Sequence, residues 1–146
     1  GPFEDQIFVG DQTRSNLMRI VLEKVQGAYQ GAIFNFIEGL QSGVVRNQFN
    51  EQGVLYVGQT GRGWRSAGDK IFGLQTVRWD RQTTPVEMLS IGLTTRGFEI
   101  RFTQPMDVKA LADASHYEIE HWHYLYRLNM VRRRQIVLKL FQNALK

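Results

Sequence analysis

Short runs rich in β-branched and large apolar residues, some of which alternate with polar positions, recur along most of this chain, which is the pattern of β-strands. It predicts strands at residues 6–9, 17–25, 28–37, 44–49, 54–57, 71–79, 86–93, 98–103 and 117–126. Turn-forming residues separate several of these runs, at 26–27, 50–53 and 94–97. No amphipathic helical pattern lies between the strands, so we expect an all-β fold of antiparallel sheets.

Three segments depart from this alternation. Residues 58–68 hold too many glycines for a strand or helix interior and predict a long exposed loop. Residues 105–115 predict a loop with one helical turn at 108–112. Residues 130–146 carry Val137, Phe141 and Leu145 at helical spacing. We therefore predict a C-terminal helix after an all-β body.

A short internal repeat suggests how the strands are grouped. The sequence Ile-Phe-Val-Gly at 7–10 recurs as Leu-Tyr-Val-Gly at 55–58. This spacing falls within the roughly 40 to 50 residues of propeller blades. We interpret 1–80 as propeller-blade-like hairpins, 86–126 as a β-sandwich-like segment and 127–146 as a basic helical tail. Since a propeller needs at least about four blades, this chain supplies only part of one.

The net charge of +4 is located mainly in the tail. Residues 127–146 contain Arg127, Arg132, Arg133, Arg134, Lys139 and Lys146 and no acidic residue. The body of the chain is therefore slightly acidic, so no nucleic-acid partner is expected there. Binding of nucleic acid or a membrane surface through the tail remains an alternative function.

The chain contains no cysteine, which excludes disulfides, thiolate nucleophiles and c-type haem attachment. No apolar run approaches the roughly 20 residues of a membrane-spanning helix, so no span is expected. The first residues include neither an initiator methionine nor an apolar signal stretch. This predicts a natural start upstream.

Candidate chemistry centres on two places. Successive glycines in 58–68 let backbone N–H groups converge on an anion, and Arg62 or Arg65 would add charge. A plain β-loop is the favoured interpretation, because no helix follows. The binding candidates are Asp11, Arg62, Trp64 and Arg65. His121 and His123 share one strand face and could ligate one metal ion, although a surface pair of histidines is the simpler interpretation.

Residues 1–13, 57–64 and 97–107 carry a family resemblance that covers about 1–126. They resemble the C-terminal region of bacterial sorbosone or glucose dehydrogenase-like proteins, which are often fused to c-type cytochrome modules. It implies the last blades of a β-propeller that binds a quinone cofactor or sugar in the full-length parent. It also implies a periplasmic or extracellular parent.

The resemblance ends near residue 129. The family continues Asn-Tyr-Gly-Ser-Pro, whereas this chain continues Asn-Met-Val-Arg-Arg at 129–133. Loss of one T from the codons AAT-TAT-GGT-TCG-CCG produces this change. We hypothesise that residues 128–146 are a frameshift product.

The functional expectation is a fragment of a sugar or quinone oxidoreductase-like protein that lacks a complete active site. By itself it is expected to bind neither pyrroloquinoline quinone nor haem. The alternative is a self-standing β module that recognises carbohydrate or protein through Trp64, Trp79 and Trp122. Exposed strand edges and the tail helix predict a homo-oligomer.

Overall fold

The computed structural model describes residues 1–120 and the backbone of a strand at 137–140. Its elements are β1 (Ile7–Asp11), β2 (Asn16–Val25), β3 (Ala28–Ile37), β4 (Val44–Phe49), β5 (Leu55–Thr60), β6 (Phe72–Val77), β7 (Met88–Thr94), β8 (Gly97–Phe102), α1 (Val108–Ala112), β9 (Tyr117–Glu120) and β10 (Val137–Leu140). All strand pairs within these described residues are antiparallel. The all-β antiparallel prediction is therefore confirmed.

The first sheet is a meander in the order β1-β2-β3. Gln26 and Gly27 connect β2 to β3, and both have positive φ, at 49° and 88°. Two central residues of positive φ match the right-handed twist of the strands, which is why this short connection closes a hairpin. The register places Ile7, Ile20 and Ile33 in one row across the sheet. We call the face that carries this row the outer face of the first sheet.

The second sheet is a meander in the order β4-β5-β6. The Oδ1 of Asn50 accepts hydrogen bonds from the backbone N–H groups of Gln52 and Val54, at 3.1 and 2.8 Å. Gly53 has φ +77°, a conformation that costs glycine little. The predicted reversal at 50–53 thus joins β4 to β5. Asn50 and Gly53, the residues on which that prediction rested, form the turn.

The hydrophobic core lies between the two sheets. Its buried members are Leu17, Leu40, Val44, Leu55 and Val57. Phe8 and Phe36 pack against it, with ring centroids 5.0 Å apart. The Nδ2 of Asn47 also donates to the carbonyl oxygen of Phe8 at 3.1 Å, which ties β4 to the edge of the first sheet.

Hairpin β7–β8 is joined to the first sheet through the buried cation Arg19, which is 1% exposed. Its guanidinium donates to the Glu87 Oε2 at 3.0 Å and to the Met88 carbonyl at 2.6 Å. The rings of Phe3 and Phe34 lie 4.3 and 4.5 Å from the guanidinium carbon. The Arg19 guanidinium on β2 therefore contacts residues of the N-terminal segment, of β3 and of β7.

The chain forms two compact units, Gly1–Thr103 and Gln104–Lys146. The division lies after Thr103, so hairpin β7–β8, assigned from the sequence to a segment starting at 86, belongs to the first unit. In the second unit α1 confirms the helical turn predicted at 108–112. Its N-terminus is capped by Asp107, whose side chain accepts from the N–H of Lys109.

The predicted C-terminal helix is not confirmed. Residues 137–140, which lie inside it, form β10 and pair antiparallel with β9, with Val137 opposite Glu120. Only Val137 in this stretch has an intrinsic preference for extended structure, and Leu and Lys are good helix formers, so the pairing with β9 overrides the local helical propensity. The rest of the predicted helix lies outside the described residues, as does the second half of the predicted strand 117–126.

Candidate functional site

The unit Gly1–Thr103 has two concavities at opposite ends of its two meander sheets. A cavity of about 680 Å³ lies where three loops meet. We call it the loop cavity. A wider cleft of about 1000 Å³ lies at the other end of the sheets, beside the N-terminal segment. We call it the aromatic cleft.

The loop cavity is formed by the β1–β2, β3–β4 and β5–β6 connections. The N–H of Ala67 donates to the carbonyl of Thr13 at 2.8 Å, and the N–H of Gly68 donates to the Ser15 Oγ at 3.0 Å. The N–H of Leu40 donates to the carbonyl of Ser15 at 3.0 Å. These bonds hold the three loops against one another. The predicted loop at 58–68 is wrong at its start, because residues 58–60 complete β5. From Gly61 onward the segment is a structured part of the loop cluster, with Arg62, Trp64 and Arg65 exposed.

Two glycines permit this close packing of loops. A Cβ added at Gly43 would lie 2.1 Å from the carbonyl oxygen of Gln12. A Cβ added at Gly68 would lie 2.3 Å from the carbonyl oxygen of Gln41. Both contacts are to backbone, so neither neighbour can easily move aside. Both glycines provide close approach between backbones, and Gly68 does so within the segment 58–68 that was considered as an anion cradle.

Most of the side chains around the loop cavity are of polar residue types, and they include both signs of charge. The lining contains Arg14, Ser15, Asn16, Glu38, Gln41 and Asp69. The Oδ1 of Asn16 is buried and has no hydrogen-bond partner within the described part of the chain. Glu38 accepts from the Asn35 Nδ2 at 3.0 Å. The lining has no exposed aromatic ring and therefore offers hydrogen-bonding groups without a stacking surface.

The four binding candidates from the sequence are not among the residues that line this cavity. The Asp11 Oδ1 accepts from the N–H groups of Thr13 and Arg14, at 2.7 and 2.9 Å, and so shapes the β1–β2 loop. Arg62 has φ +48°, Trp64 is 77% exposed, and Arg65 is also exposed. Their binding role stays a prediction.

Aromatic side chains form the walls of the aromatic cleft: Phe3, Phe8, Phe36, Phe49 and Trp79. Phe36 contacts the rings of Phe3 and Phe8 edge-on, and Phe8 in turn contacts Phe49 with centroids 5.2 Å apart. Edge-to-face contacts of this kind fix the rings relative to one another. Phe49 and Trp79 are the most exposed of the five, at 47% and 40%.

Trp79 is held in place by the turn that follows it. Its Nε1 donates to the carbonyl oxygen of Thr83 at 2.6 Å. The Asp80 Oδ1 accepts from the N–H groups of Gln82 and Thr83, at 2.9 and 2.8 Å, and so closes the turn. These backbone hydrogen bonds from Thr83 and Gln82 lower the pKa of the Asp80 carboxyl. Because its N–H is already bonded, the indole presents an apolar face.

The rim of the aromatic cleft is polar. It is formed by exposed residues on several segments: Glu4, Asp5, Gln52, Arg78, Asp80 and Arg81. Asp5 and Arg81 both have positive φ, at 63° and 64°. Non-glycine residues in this conformation are uncommon and are concentrated at binding sites. The cleft therefore combines exposed aromatic surface with converging charged and amide groups, which is the composition of small-molecule sites.

Sequence reasoning named Trp79 but did not locate the cleft. Phe3, Phe8, Phe36 and Phe49 were taken only as strand or terminal residues, and nothing in their spacing indicates that they converge. The cleft depends on how the two sheets pack, which is a tertiary property.

Metal and membrane expectations are tested only in part. His121, His123 and Trp122 lie outside the described residues, so the metal pair stays a prediction. Among residues that the structure describes, no group of three or more His, Asp or Glu side chains is arranged to hold a metal ion. No helix in the described ranges is long and apolar enough to cross a membrane.

Comparison of the chain with protein-family models, with curated proteins and with solved structures found no significant match.

Proposed function

We propose that the aromatic cleft binds carbohydrate and that the chain acts as a carbohydrate-recognition module. The observation that carries this proposal is the clamped indole of Trp79, which is partly exposed in a cleft bordered by charged and amide groups. A sugar ring has an apolar face of C–H groups and a periphery of hydroxyls. The C–H face can stack on an aromatic ring, and the hydroxyls can form hydrogen bonds with side chains such as Gln52, Arg78 and Arg81.

The geometry favours the aromatic cleft over the loop cavity as the sugar site. Both have polar groups, but only the cleft adds exposed aromatic surface, from Trp79 and Phe49. Burial of apolar surface supplies most of the affinity in small-molecule sites, and the polar groups fix orientation.

A glycan array probed with the whole chain would identify the sugar, and titration calorimetry would then measure its affinity. We expect Trp79→Ala to weaken binding at least about tenfold, because the stacking surface is lost. Trp64→Ala is the matched control: Trp64 is 77% exposed and does not line the cleft. Equal losses for the two variants, or no glycan bound by the folded wild-type chain, would contradict the proposal.

A second candidate function has its own observation. The outer face of the first sheet exposes Ile7, Leu22 and Ile33, and the outer face of the second exposes Tyr56, Phe72 and Leu74. The two meander sheets follow each other in the chain and pack face to face, and each exposes apolar side chains on its outer face. In a propeller, neighbouring blades would cover such outer faces. This favours a segment of an exported, propeller-type sugar or quinone oxidoreductase-like protein, without a complete active site of its own.

Thiol labelling tests this second candidate, because the chain has no cysteine of its own. We expect Ile33→Cys to react rapidly with a maleimide in this chain and slowly in a longer protein that includes it, where a neighbouring blade would cover the face. Glu51→Cys, in the exposed β4–β5 turn, is the control that should react in both. Equal reactivity of Ile33→Cys in the two proteins would rule out a covering blade.

A further inference from the structure

The β5–β6 connection, residues 61–71, begins with a tight turn that ends on an exposed tryptophan. We call this connection the Trp64 loop. The N–H of Trp64 donates to the carbonyl of Gly61 at 2.7 Å, and Arg62 and Gly63 between them have φ +48° and +75°. A four-residue turn closed in this way has a defined shape. The Trp64 side chain is thus 77% exposed on a backbone that is held in place.

Backbone hydrogen bonds fix the Trp64 loop at its base as well. The N–H of Gly61 donates to the carbonyl of Ile71 at 2.7 Å, and the N–H of Lys70 donates to the carbonyl of Gln41 at 2.9 Å. Ile71 is also 77% exposed. Trp64 and Ile71 are each one backbone hydrogen bond from Gly61, so the loop exposes two large apolar residues at the same end of the second sheet. An ordered loop loses little conformational entropy when it binds a partner.

Two cations of the Trp64 loop have no acidic partner. Arg62 and Arg65 flank the tryptophan in the sequence and are exposed, and neither forms an ion pair within the described residues. The loop has one carboxylate, that of Asp69, which lies 3.4 Å from the Lys70 ammonium. Three cations and one carboxylate give the loop a net charge of +2. Exposed apolar surface and uncompensated positive charge therefore occur together.

The neighbouring loops reduce this positive charge without reversing it. They add Arg14, on the β1–β2 connection, and the carboxylates of Asp11 and Glu38. Both carboxylates accept hydrogen bonds within their own segments. The loop cluster thus carries four cations against three carboxylates, in a body of the chain that is slightly acidic. This end of the molecule is complementary to an anionic partner.

We propose that the Trp64 loop docks on the surface of an anionic lipid bilayer. Tryptophan is enriched at membrane interfaces, where its ring is in an apolar environment and its N–H reaches a polar group. The Trp64 N–H, unlike that of Trp79, has no hydrogen-bond partner within the described residues. Basic side chains near an anionic leaflet are attracted to it, which suits Arg62 and Arg65.

The exposed Ile71 favours lipid over other anionic partners. An aliphatic side chain gains free energy when it enters hydrocarbon, whereas single-stranded nucleic acid is bound through aromatic rings on which bases stack. The aromatic cleft lies at the opposite end of the sheets, so this site is independent of the proposed carbohydrate site.

Flotation of the full chain with lipid vesicles tests the proposal. We expect binding to vesicles of equal parts phosphatidylcholine and phosphatidylglycerol to be at least about tenfold tighter than to phosphatidylcholine alone, and to weaken as salt rises. Trp64→Ala should weaken binding to the mixed vesicles at least about tenfold, and so should Arg62→Gln combined with Arg65→Gln. Trp64→Phe should retain most of the binding but lose most of the fluorescence quenching by lipids brominated on their acyl chains.

Matched controls lie elsewhere on the unit Gly1–Thr103. Tyr29 is 72% exposed beside the β2–β3 turn, at the opposite end of the first sheet, so Tyr29→Ala is the control for the aromatic change. Arg96 is exposed in the β7–β8 turn, so Arg96→Gln is the control for charge. Both should leave vesicle binding unchanged. If Trp64→Ala does not give the wild-type circular dichroism spectrum, Ile71→Asn replaces it, with the same expected loss.

Several results would overturn the proposal. One is a wild-type chain that does not bind the mixed vesicles. Another is vesicle binding that Trp64→Ala leaves intact, which would assign the binding to a different basic segment such as residues 127–146. An equal loss for Tyr29→Ala is a third. A labelled single-stranded oligonucleotide is tested in parallel, because Trp64-dependent binding to it that exceeds binding to vesicles would identify nucleic acid as the partner instead.

Discussion

Replacement of Arg19 by methionine should destabilise the folded unit by about 3 kcal/mol. The side chain is 1% exposed, and removal of one partner from a buried charge pair typically costs about 3 to 5 kcal/mol. We expect the lower end of that range, because Glu87 is 34% exposed and water can solvate it after the change. The carbonyl of Met88 would lose a donor at 2.6 Å, and Gln6 would lose one at 3.0 Å.

An opposing effect limits the loss. Burial lowers the pKa of the Arg19 guanidinium, and the hydrogen bond and charge of Glu87 act in the other direction. Desolvation therefore makes the cation costly in this position, and methionine avoids that cost while it keeps contact with Phe3 and Phe34. Arginine to lysine should cost less, about 1 to 2 kcal/mol, because one ammonium cannot reach all four oxygen acceptors that the guanidinium contacts.

Urea denaturation followed by circular dichroism measures both changes. A loss of about 3 kcal/mol is a large part of the roughly 5 to 15 kcal/mol by which domains are stable, so the midpoint should move clearly. Arg14→Met is the control, because Arg14 is exposed and should change stability by no more than about 0.5 kcal/mol. If Arg19→Met were as stable as Arg14→Met, the buried cation would not be what joins β7 to the first sheet.

Three further predictions concern the loops. Gly43→Ala should cost about 1 to 3 kcal/mol in urea unfolding, whereas Gly58→Ala, whose Cβ meets nothing closer than 3.6 Å, should be tolerated. Asp80 should titrate in NMR below an unstructured aspartate. Its stabilisation of the Trp79 turn is present above the unfolded pKa of about 3.9 and lost as pH falls through the folded pKa, which indole fluorescence would report. Asn50→Ala should cost about 1 kcal/mol in the same urea assay, through its two backbone acceptor bonds.

Local sequence signals were sufficient to place most strands. Strands β2 and β3 correspond almost residue for residue to the apolar run predicted at 17–25 and the alternation at 28–37, which are joined by the predicted Gln-Gly turn. These features depend on side-chain period and on turn chemistry, both of which operate within a few residues. The short helix at 108–112 was predicted for the same reason.

Packing between strands distant in sequence was not predictable in this way. The sequence around Arg19 does not indicate its burial, which arises because β7 and the N-terminal segment close over it. The aromatic cleft likewise depends on how two sheets meet. The tail strand β10 depends on a partner strand that the helical spacing of its residues does not reveal.

The internal repeat at 7–10 and 55–58 illustrates the limit of sequence patterns most clearly. Its two copies lie in β1, the edge of the first sheet, and in β5, the centre of the second. Their glycines also differ in surroundings, because a Cβ at Gly10 would lie 2.1 Å from the Val44 Cγ1, whereas Gly58 has room. Blades related by repetition would place both copies in equivalent strands. The repeat therefore gives the propeller proposal no support, and that proposal depends instead on the two exposed apolar faces and on whether other sheets cover them.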